Sequence, residues 1–473
     1  MSRPIQLTSW QSHLASRFPD LSAPVVAVLA LYSFGMILSK VSGLCAVSLF
    51  LSEHLDCRYF ATRKRLSEFY KEAEAKSGTR LGQKRKDFDV TTCFAPLLKW
   101  ILSLWPGRYL ALAIDVTNLG DRFHVLCISV VVQGTGIPVA WAVLPGGEKD
   151  AWNPHWQRLL GYLKTAVPDD WTVIVLSDRG LESPELFRQI VALGWHPLMR
   201  AKKGGKFRPK GWGKFYIMSD LVRRVGGSFS AEGLAYTGRK MPCTLLACWS
   251  EGHDEPWLVL TDLPPEAGNA VWYGFRTWIE QGFKVIKGGG WEWQNTRMED
   301  AGRVERLWLV MSVATLWVVA VGAEDEAREA TKKAQKELQR KLEESEQQAR
   351  ERQERERVRR ENQKAALDAR RAKRKAVREA REAREAEKSA KAGKVKPKEE
   401  AAKGKAAKPK PRKKEEGKLT RTHRLFALGL AVLSAAWQRG ENRLPRRLYP
   451  EPWPQPCHPV PSLTEEEFLS QKT

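Results

Sequence analysis

Paired cysteines are missing from this sequence. Seven cysteines are an odd number in a chain of 473 residues, and none of them forms a Cys-x-x-Cys pair. This pattern argues against a disulfide framework and a cysteine-based zinc site, and it predicts reduced thiols in a cytosolic protein. The first residues, MSRPIQLTSWQSHLASRFPDLS, contain no apolar core, so no secretory signal is expected. The cysteines are Cys45, Cys57, Cys93, Cys127, Cys243, Cys248 and Cys457.

Long hydrophobic runs and negative charge are also scarce. The apolar runs 24–39 and 307–322 each have 16 residues, fewer than the roughly 20 that cross a bilayer. We expect both to be buried helices and expect no membrane partner. Lysine and arginine number 79 against 55 aspartates and glutamates, which gives a net charge of +24. This excess predicts a polyanionic partner, with nucleic acid first and an anionic membrane surface second.

The N-terminal region, residues 1–95, is predicted to be mostly helical. Its segment 57–86 interleaves cations with aromatic side chains. This pattern fits a helical DNA-binding module, and it fits equally well an amphipathic helix with a solvated basic face. The cations in this segment include Arg58, Arg63, Lys64, Arg65, Lys84, Arg85 and Lys86.

A mixed sheet is predicted after this region. Short turns separate the first three strands, which must therefore be antiparallel neighbours. The fourth strand, 171–180, is almost wholly apolar and should be central. The order β-β-β-α-β-α-β predicts an α/β, ribonuclease-H-like fold whose first and fourth strands lie side by side. The segments are 108–117, 123–134, 137–147, 152–167, 171–180, 183–194 and 195–201.

A helix predicted over residues 271–290 carries four polar side chains at spacings of three, four and seven. Tyr273, Arg276, Glu280 and Lys287 would share one face at 3.6 residues per turn. One carboxylate, two cations and a phenol suit a site that binds a divalent metal and phosphate oxygens. A solvated face with an Arg276–Glu280 pair is the alternative.

Two aspartates at strand ends complete a candidate site. Asp115 ends the first strand, Asp178 ends the fourth, and a later helix can bring Glu280 beside them. Three carboxylates without histidine or cysteine suit Mg²⁺, and two such ions about 4 Å apart activate a nucleophile and stabilise the leaving oxygen in phosphoryl transfer. Taken alone, Asp115 fits a strand-end turn and Asp178 a helix-approach cap.

These residues resemble the DDE transposases of bacterial insertion sequences, in the subgroup marked by Tyr-x2-Arg-x3-Glu-x6-Lys. The chain matches that signature completely from Tyr273 to Lys287, and Ile114-Asp115-Val116-Thr117 and Ser177-Asp178-Arg179-Gly180 match the two aspartate motifs. The resemblance covers residues 100–322.

The resemblance implies a metal-dependent DNA transposase. Asp115, Asp178 and Glu280 would be the catalytic ligands of two divalent ions, Mg²⁺ or Mn²⁺. Tyr273, Arg276 and Lys287 would contact double-stranded DNA at the transposon end. It further implies cut-and-paste transposition through a hairpin, a homodimer on DNA, target DNA as a second partner, and a bacterial cytoplasmic, nucleoid-associated location.

About 100 residues separate the second aspartate from the glutamate, too many for a plain connection. Residues 202–262 predict a β-rich insertion containing short strands and turns. The resemblance implies that an aromatic residue of the insertion stacks on a base flipped out of the duplex. Trp249 and Trp257 are the candidates, although tryptophan is more often a core residue.

A charged low-complexity arm, 323–418, follows the core. With 34 lysines and arginines against 21 aspartates and glutamates, residues 324–418 contribute +13 to the net charge. We expect a solvated helix to about residue 390 and a disordered tail to 418. A coiled-coil dimer and non-specific DNA affinity are further possibilities.

Five parts result from this reading, each with its own composition. The C-terminal part is predicted to begin with an apolar helix that packs on the catalytic core and to end in an extended Pro-rich tail. Two other functions stay open, a ribonuclease-H-like nuclease without strand transfer and a non-enzymatic DNA-binding protein. The parts are 1–95, the core 100–201 and 263–322, the insertion 202–262, the arm 323–418, and 419–473.

Overall fold

The computed structural model describes residues 4–78, 82, 86–148, 152–387, 424–455 and 464–470, with side chains to residue 379 in the long helix. Two compact units divide the chain, Met1–Arg328 with Arg421–Thr473, and Glu329–Thr420. Three predictions fall outside the described residues: the cationic pair Lys84 and Arg85, the disordered tail to 418, and the thiol of Cys457. None of the six cysteines within the described ranges forms a disulfide.

Helices form the N-terminal region, as the sequence predicts. Its core is aromatic: Trp10 stacks on Trp317 with ring centroids 3.7 Å apart and donates its indole N–H to Ser33. The pair α2 and α3 is bent by 91° at its break. The helices are α1 (Ile5–Arg17), α2 (Ala23–Ser39), α3 (Leu44–His54), α4 (Tyr59–Tyr70) and α5 (Phe94–Ser103).

A mixed sheet follows, and its first five strands appear in the predicted order. Two helices separate the strands where predicted, and Ser183 caps the second of them by accepting the backbone N–H of Leu186. The elements are β1 (Tyr109–Leu119), β2 (Phe123–Val132), β3 (Thr135–Pro145), α6 (Asn153–Lys164), β4 (Thr172–Ser177), α7 (Pro184–Ala192) and β5 (His196–Arg200).

The insertion extends this same sheet instead of forming a separate layer. The strand order is β3-β2-β1-β4-β5-β10-β9-β8-β6-β7, so β10 pairs with β5 and joins insertion to core. The core and the insertion therefore form one hydrogen-bonded sheet of ten strands within the described residues. The added strands are β6 (Lys206–Pro209), β7 (Tyr216–Ile217), β8 (Ser228–Ala235), β9 (Met241–Cys248) and β10 (Trp257–Thr261).

A short helix, α8 (Thr277–Lys284), packs unusually close to β3. Two glycines allow this approach. A Cβ atom on Gly282 would lie 2.6 Å from the carbonyl oxygen of Gly136, and one on Gly136 would lie 3.0 Å from the Cα of Ile279. The backbones therefore touch directly, and the glycines fix the height of α8 above the sheet.

The apolar run near residue 310 is the buried start of the long helix α9 (Ala301–Glu387). Its most apolar 18-residue window is 94% buried. The helix α10 (Arg424–Gln438) crosses it closely, because a Cβ atom on Gly429 would lie only 1.9 Å from the carbonyl oxygen of Val318. The helix that follows the arm thus packs against the core, as the sequence predicts.

The second unit is the charged continuation of α9. Its described side chains are exposed to residue 379, and Glu–Arg and Glu–Lys pairs three or four residues apart line it, as Glu337 does with Arg340. Such pairs support an isolated helix by a few tenths of a kcal/mol each. At the other end of the chain, a last short helix, α11 (Glu465–Ser470), belongs to the first unit.

Candidate active site

The two aspartates meet because β1 and β4 are parallel neighbours. Ile114 pairs with Ser177 in this register, so Asp115 and Asp178 occupy the next position on adjacent strands. Each carboxylate also accepts a backbone N–H of the following residue, Asp115 at 2.9 Å and Asp178 at 2.5 Å. The predicted adjacency of the first and fourth strands is confirmed. The prediction that Asp115 ends the first strand is wrong, because β1 continues to Leu119 in its pairing with β2. The two carboxylates therefore lie where the parallel pairing of β1 with β4 ends.

Arg276 joins these aspartates to Glu280. Its Nη2 donates to Asp115 Oδ2 at 2.8 Å and lies 3.4 Å from Asp178 Oδ2. Its Nη1 donates to Glu280 Oε1 one helical turn away. All three carboxylates therefore contact one guanidinium, and the chain brings together the acidic residues that the sequence selected.

The cluster has an excess of negative charge. Three carboxylates and one guanidinium, all ionised, give a formal charge of −2. Burial raises the pKa of Asp115, although Arg276 opposes this shift. Burial by itself would lower the pKa of Arg276, but the carboxylates, Asp115 foremost, raise it above its ordinary value. The guanidinium thus stays charged and offsets only part of the repulsion.

An aromatic wall adjoins the cluster. Tyr273 is buried, and its ring lies 5.6 Å from the ring of Trp257. The guanidinium of Arg200 covers the same tyrosine at 5.6 Å. Burial raises the pKa of Tyr273 to about 12, so its hydroxyl is protonated at neutral pH. This wall holds one phenol O–H, close enough to Asp178 for that carboxylate to raise its pKa further, and one partly exposed indole.

Sequence reasoning missed a second group of charges. Glu255, which precedes β10, bridges Arg179 and Arg200, with its Oε1 2.6 Å from Nη2 of Arg200. Arg179 directly follows Asp178 in the sequence. That adjacency was the signal by which its place near the carboxylates could have been predicted. The sequence spacing of Arg200 and Glu255 gave no sign that they interact. The pairing of β5 with β10 brings the two residues together.

The segment 271–290 is not one α-helix, which corrects the sequence prediction. A 3-10 turn, Ala270–Arg276, leads into α8, and a π-helical turn, Val285–Gly289, ends it. The predicted common face therefore does not extend to Lys287. That side chain is half-buried, burial lowers its pKa, and it forms no ion pair with the three carboxylates within the described ranges.

The two candidate tryptophans occupy different places. Trp257 stands beside Tyr273, and a Cβ atom on Gly274 would lie 3.3 Å from its ring. Trp249 lies in the turn after β9 and donates its indole N–H to the carbonyl of His253 at 2.8 Å. Of the two, Trp257 is the one that contacts Tyr273, the residue three positions before Arg276.

The donor set suits a divalent cation in chemistry. It contains only carboxylate oxygens, which Mg²⁺ and Mn²⁺ prefer, and its net negative charge attracts cations. In the part of the chain that is described, no group of three or more His, Cys, Asp or Glu side chains is arranged to hold a metal ion. The Arg276 guanidinium contacts all three carboxylates at the point where they converge.

Residues 120–317 match the family model described as the transposase DDE domain. The matched span contains Asp178 and Glu280 and begins five residues after Asp115. This domain is that of the DDE transposases, which catalyse metal-dependent phosphoryl transfer on DNA. The match therefore identifies residues 120–317, about two fifths of the chain, with an enzyme domain of this kind.

Among solved structures, the chain is similar to a piggyBac transposase synaptic complex with hairpin DNA. The identity is 12%, the similarity covers 66% of this chain and 73% of that one, and the TM-score is 0.33. A likeness of this extent supports no conclusion about this chain. No curated protein matches it.

Proposed function

We propose that this enzyme binds the ends of its own mobile element, cleaves beside them and joins the freed 3′-hydroxyl to target DNA. The convergence of Asp115, Asp178 and Glu280 on Arg276 carries this proposal. Parallel pairing of two strands and the close packing of α8 on β3 are both needed to assemble it.

In this proposal the three carboxylates hold two divalent ions, Mg²⁺ or Mn²⁺. When bound, the ions supply Lewis-acid activation of the attacking oxygen and stabilise the leaving one. The protein holds its ligands in place by backbone hydrogen bonds to both aspartates and by the glycine contact beneath α8. Arg276, whose guanidinium contacts all three carboxylates, would offer donors to a DNA phosphate beside the ions.

The DNA contacts follow from the positions of the remaining polar groups. Arg276 contacts the carboxylates, Tyr273 lies near Asp178, and Lys287 lies half-buried in the π-helical turn that ends α8. We propose that Tyr273 and Arg276 contact the phosphates next to the cleaved bond and that Lys287 contacts a more distant phosphate. Trp257 is the better placed of the two tryptophans to stack on a flipped base.

The finer assignments belong to the same proposal. The complete Tyr-x2-Arg-x3-Glu-x6-Lys signature supports the corresponding subgroup of insertion-sequence transposases. The antiparallel β1–β3 with β4 parallel to β1 supports a ribonuclease-H-like core. A hairpin intermediate, a homodimer that pairs two element ends, and a bacterial cytoplasmic, nucleoid-associated location complete the proposal.

Glu280→Gln provides the decisive experiment. The variant keeps the shape and the acceptor oxygen for Arg276 but loses the charge that binds the metal. A labelled duplex carrying the element's end and flanking DNA is incubated with Mg²⁺ and either protein. We expect wild type alone to cut at the boundary, with a loss of at least about 100-fold in the variant, while both bind the duplex equally.

Two other results would redirect the assignment. Cleavage of ordinary duplexes without preference for element ends would indicate a nuclease without strand transfer. Equal DNA binding by both proteins with no cleavage by either would contradict the placement of the active site at these carboxylates. Supplying a pre-cut end with a 3′-hydroxyl and a plasmid target then tests strand transfer separately from the first cut.

A further inference from the structure

The insertion carries a strongly basic segment that the catalytic cluster does not use. Residues 202–227 contain eight lysines and arginines and one aspartate. Most of these cations are exposed. The segment includes β6 and β7, which form the far edge of the sheet. Its position away from the carboxylates leaves the role of this charge open.

The acidic helix α11, here the tail helix, lies on this segment. Its first turn contains three consecutive glutamates, and Glu465 accepts the backbone N–H of Gly213 at 2.7 Å and the hydroxyl of Tyr216 at 2.5 Å. The hydrogen bond from Tyr216 and then the backbone N–H of Gly213 lower the pKa of Glu465. A carboxylate thus occupies a site made of a backbone N–H, a hydroxyl and nearby Lys214.

An aromatic contact holds the tail helix in place. Phe468 is only 3% exposed, and its ring centroid lies 5.2 Å from Trp212 and 5.1 Å from Tyr216. The Arg223 guanidinium lies over that ring, 4.1 Å from its centroid, and also donates to the Phe468 carbonyl. We call the covered surface, formed by Trp212, Gly213, Lys214, Tyr216 and Arg223, the insertion face.

We propose that the insertion face is a binding surface for the phosphate backbone of duplex DNA, which the tail helix covers until DNA displaces it. Backbone N–H groups, hydroxyls, lysines and arginines are the groups that contact phosphates in protein–DNA complexes. On this surface the backbone N–H of Gly213 and the hydroxyl of Tyr216 bind Glu465 instead, and Arg223 donates to the Phe468 carbonyl. The inference rests on the proposed function, because it assumes that DNA extends from the active site across the sheet.

The geometry indicates where the DNA would be contacted. Six strand steps separate β4 from β7 in the sheet order. At about 4.8 Å per step this is roughly 29 Å, or about eight base pairs at 3.4 Å each. A duplex cut at the carboxylates and running along the sheet therefore reaches the insertion face within about one helical turn. The surface would bind DNA beside the cleaved position without reading its sequence.

The test measures DNA binding by the full chain without divalent metal and with a chelator. A labelled duplex of about 30 base pairs is titrated at several salt concentrations. Phe468→Ala and Glu465→Gln release the tail helix, and we expect each to lower Kd three- to tenfold at low salt. The plot of log affinity against log salt should steepen by about two, because Lys214 and Arg223 gain phosphates.

Two matched variants control for general effects. Leu469→Ala removes a neighbouring side chain that is 45% exposed, and Glu466→Gln removes one negative charge from an exposed position of the same helix. Both should leave Kd within twofold of wild type. Adding Lys214→Ala and Arg223→Ala to Phe468→Ala should return Kd and the salt slope to the wild-type values, with circular dichroism confirming that every variant is folded.

Hydrogen exchange gives a second readout. Saturating DNA should accelerate exchange of residues 464–470 in the wild type, because displacement frees the tail helix. Unchanged affinity in Phe468→Ala and Glu465→Gln would overturn the proposal, and so would an equal gain in Glu466→Gln, which would show a net-charge effect only. This test measures binding and not cleavage. It can therefore be interpreted even if the catalytic proposal fails, and the cleavage test can be interpreted even if the insertion face does not bind DNA.

Discussion

Gly282→Ala tests whether the close packing of α8 on the sheet sets the geometry of the active site. The new methyl carbon would lie 2.6 Å from the carbonyl oxygen of Gly136. An ordinary carbon–oxygen contact is about 3.3 Å, so α8 must move away by roughly 0.7 Å. Glu280 lies on α8, and Arg276 precedes it directly, so both side chains must move relative to the aspartates.

The expected effect separates activity from stability. Alanine favours the helix by up to about 1 kcal/mol relative to glycine, whereas overpacking costs about 1–3 kcal/mol. The free energy of unfolding should therefore change by no more than about 2 kcal/mol. A catalytic constellation tolerates about 0.5 Å of displacement, and about 1 Å costs roughly 100-fold in rate. We expect Mg²⁺-dependent cleavage to fall 10- to 100-fold.

Gly161→Ala is the matched control. Gly161 lies in the helix α6, and no atom of the described residues lies within 4 Å of the position its Cβ would take. The substitution should stabilise the protein by up to about 1 kcal/mol and leave cleavage unchanged. Both variants are compared by single-turnover cleavage and by urea denaturation. Full activity of a folded Gly282→Ala protein would refute the reasoning that this contact positions Glu280.

Three further substitutions test the packing and the buried titratable groups. Gly429→Ala places a methyl 1.9 Å from the Val318 carbonyl oxygen, and calorimetry should show a loss of at least about 2 kcal/mol; an unchanged Tm would contradict the close crossing of α9 and α10. Burial raises the pKa of Glu305, so its folded state favours the protonated form and stability falls as pH rises above the ordinary value. Glu305→Gln should therefore increase stability at pH 7 relative to pH 4, and equal gains at both would refute this. Burial lowers the pKa of His13 from 6.5 to about 4, so stability is lost as pH falls through that interval. His13→Phe should remove this loss in denaturation measured at pH 7 and pH 4.5.

The order of strands and helices in the core was predictable because each element is short and carries its own local signal. Alternating or continuous apolar runs define the strands, and Ser183 and Gly194 mark the limits of α7. Parallel pairing of β1 with β4 followed from that order, and so did the adjacency of Asp115 and Asp178. The contact between Arg276 and Glu280 was similarly predictable, because residues four positions apart are neighbours on one turn of a helix.

The helix type of residues 271–290 was not predictable from spacing. Counting at 3.6 residues per turn assumes one regular α-helix, whereas the chain begins this segment as a 3-10 turn and ends it as a π-helical turn. The position of Lys287 depends on that ending. The reason is energetic, since the different helical hydrogen-bond patterns differ little locally and packing against the sheet selects among them.

The sequence by itself determined the residue types that can do the chemistry and the strand order that brings two of them together. Only the tertiary structure decided that Arg276 contacts all three carboxylates, that Glu255 bridges two arginines, and that the tail helix covers the insertion face. These contacts join residues up to about 250 positions apart. No local pattern encodes such pairs, because their partners are fixed by backbone pairing and by which surfaces remain to be buried.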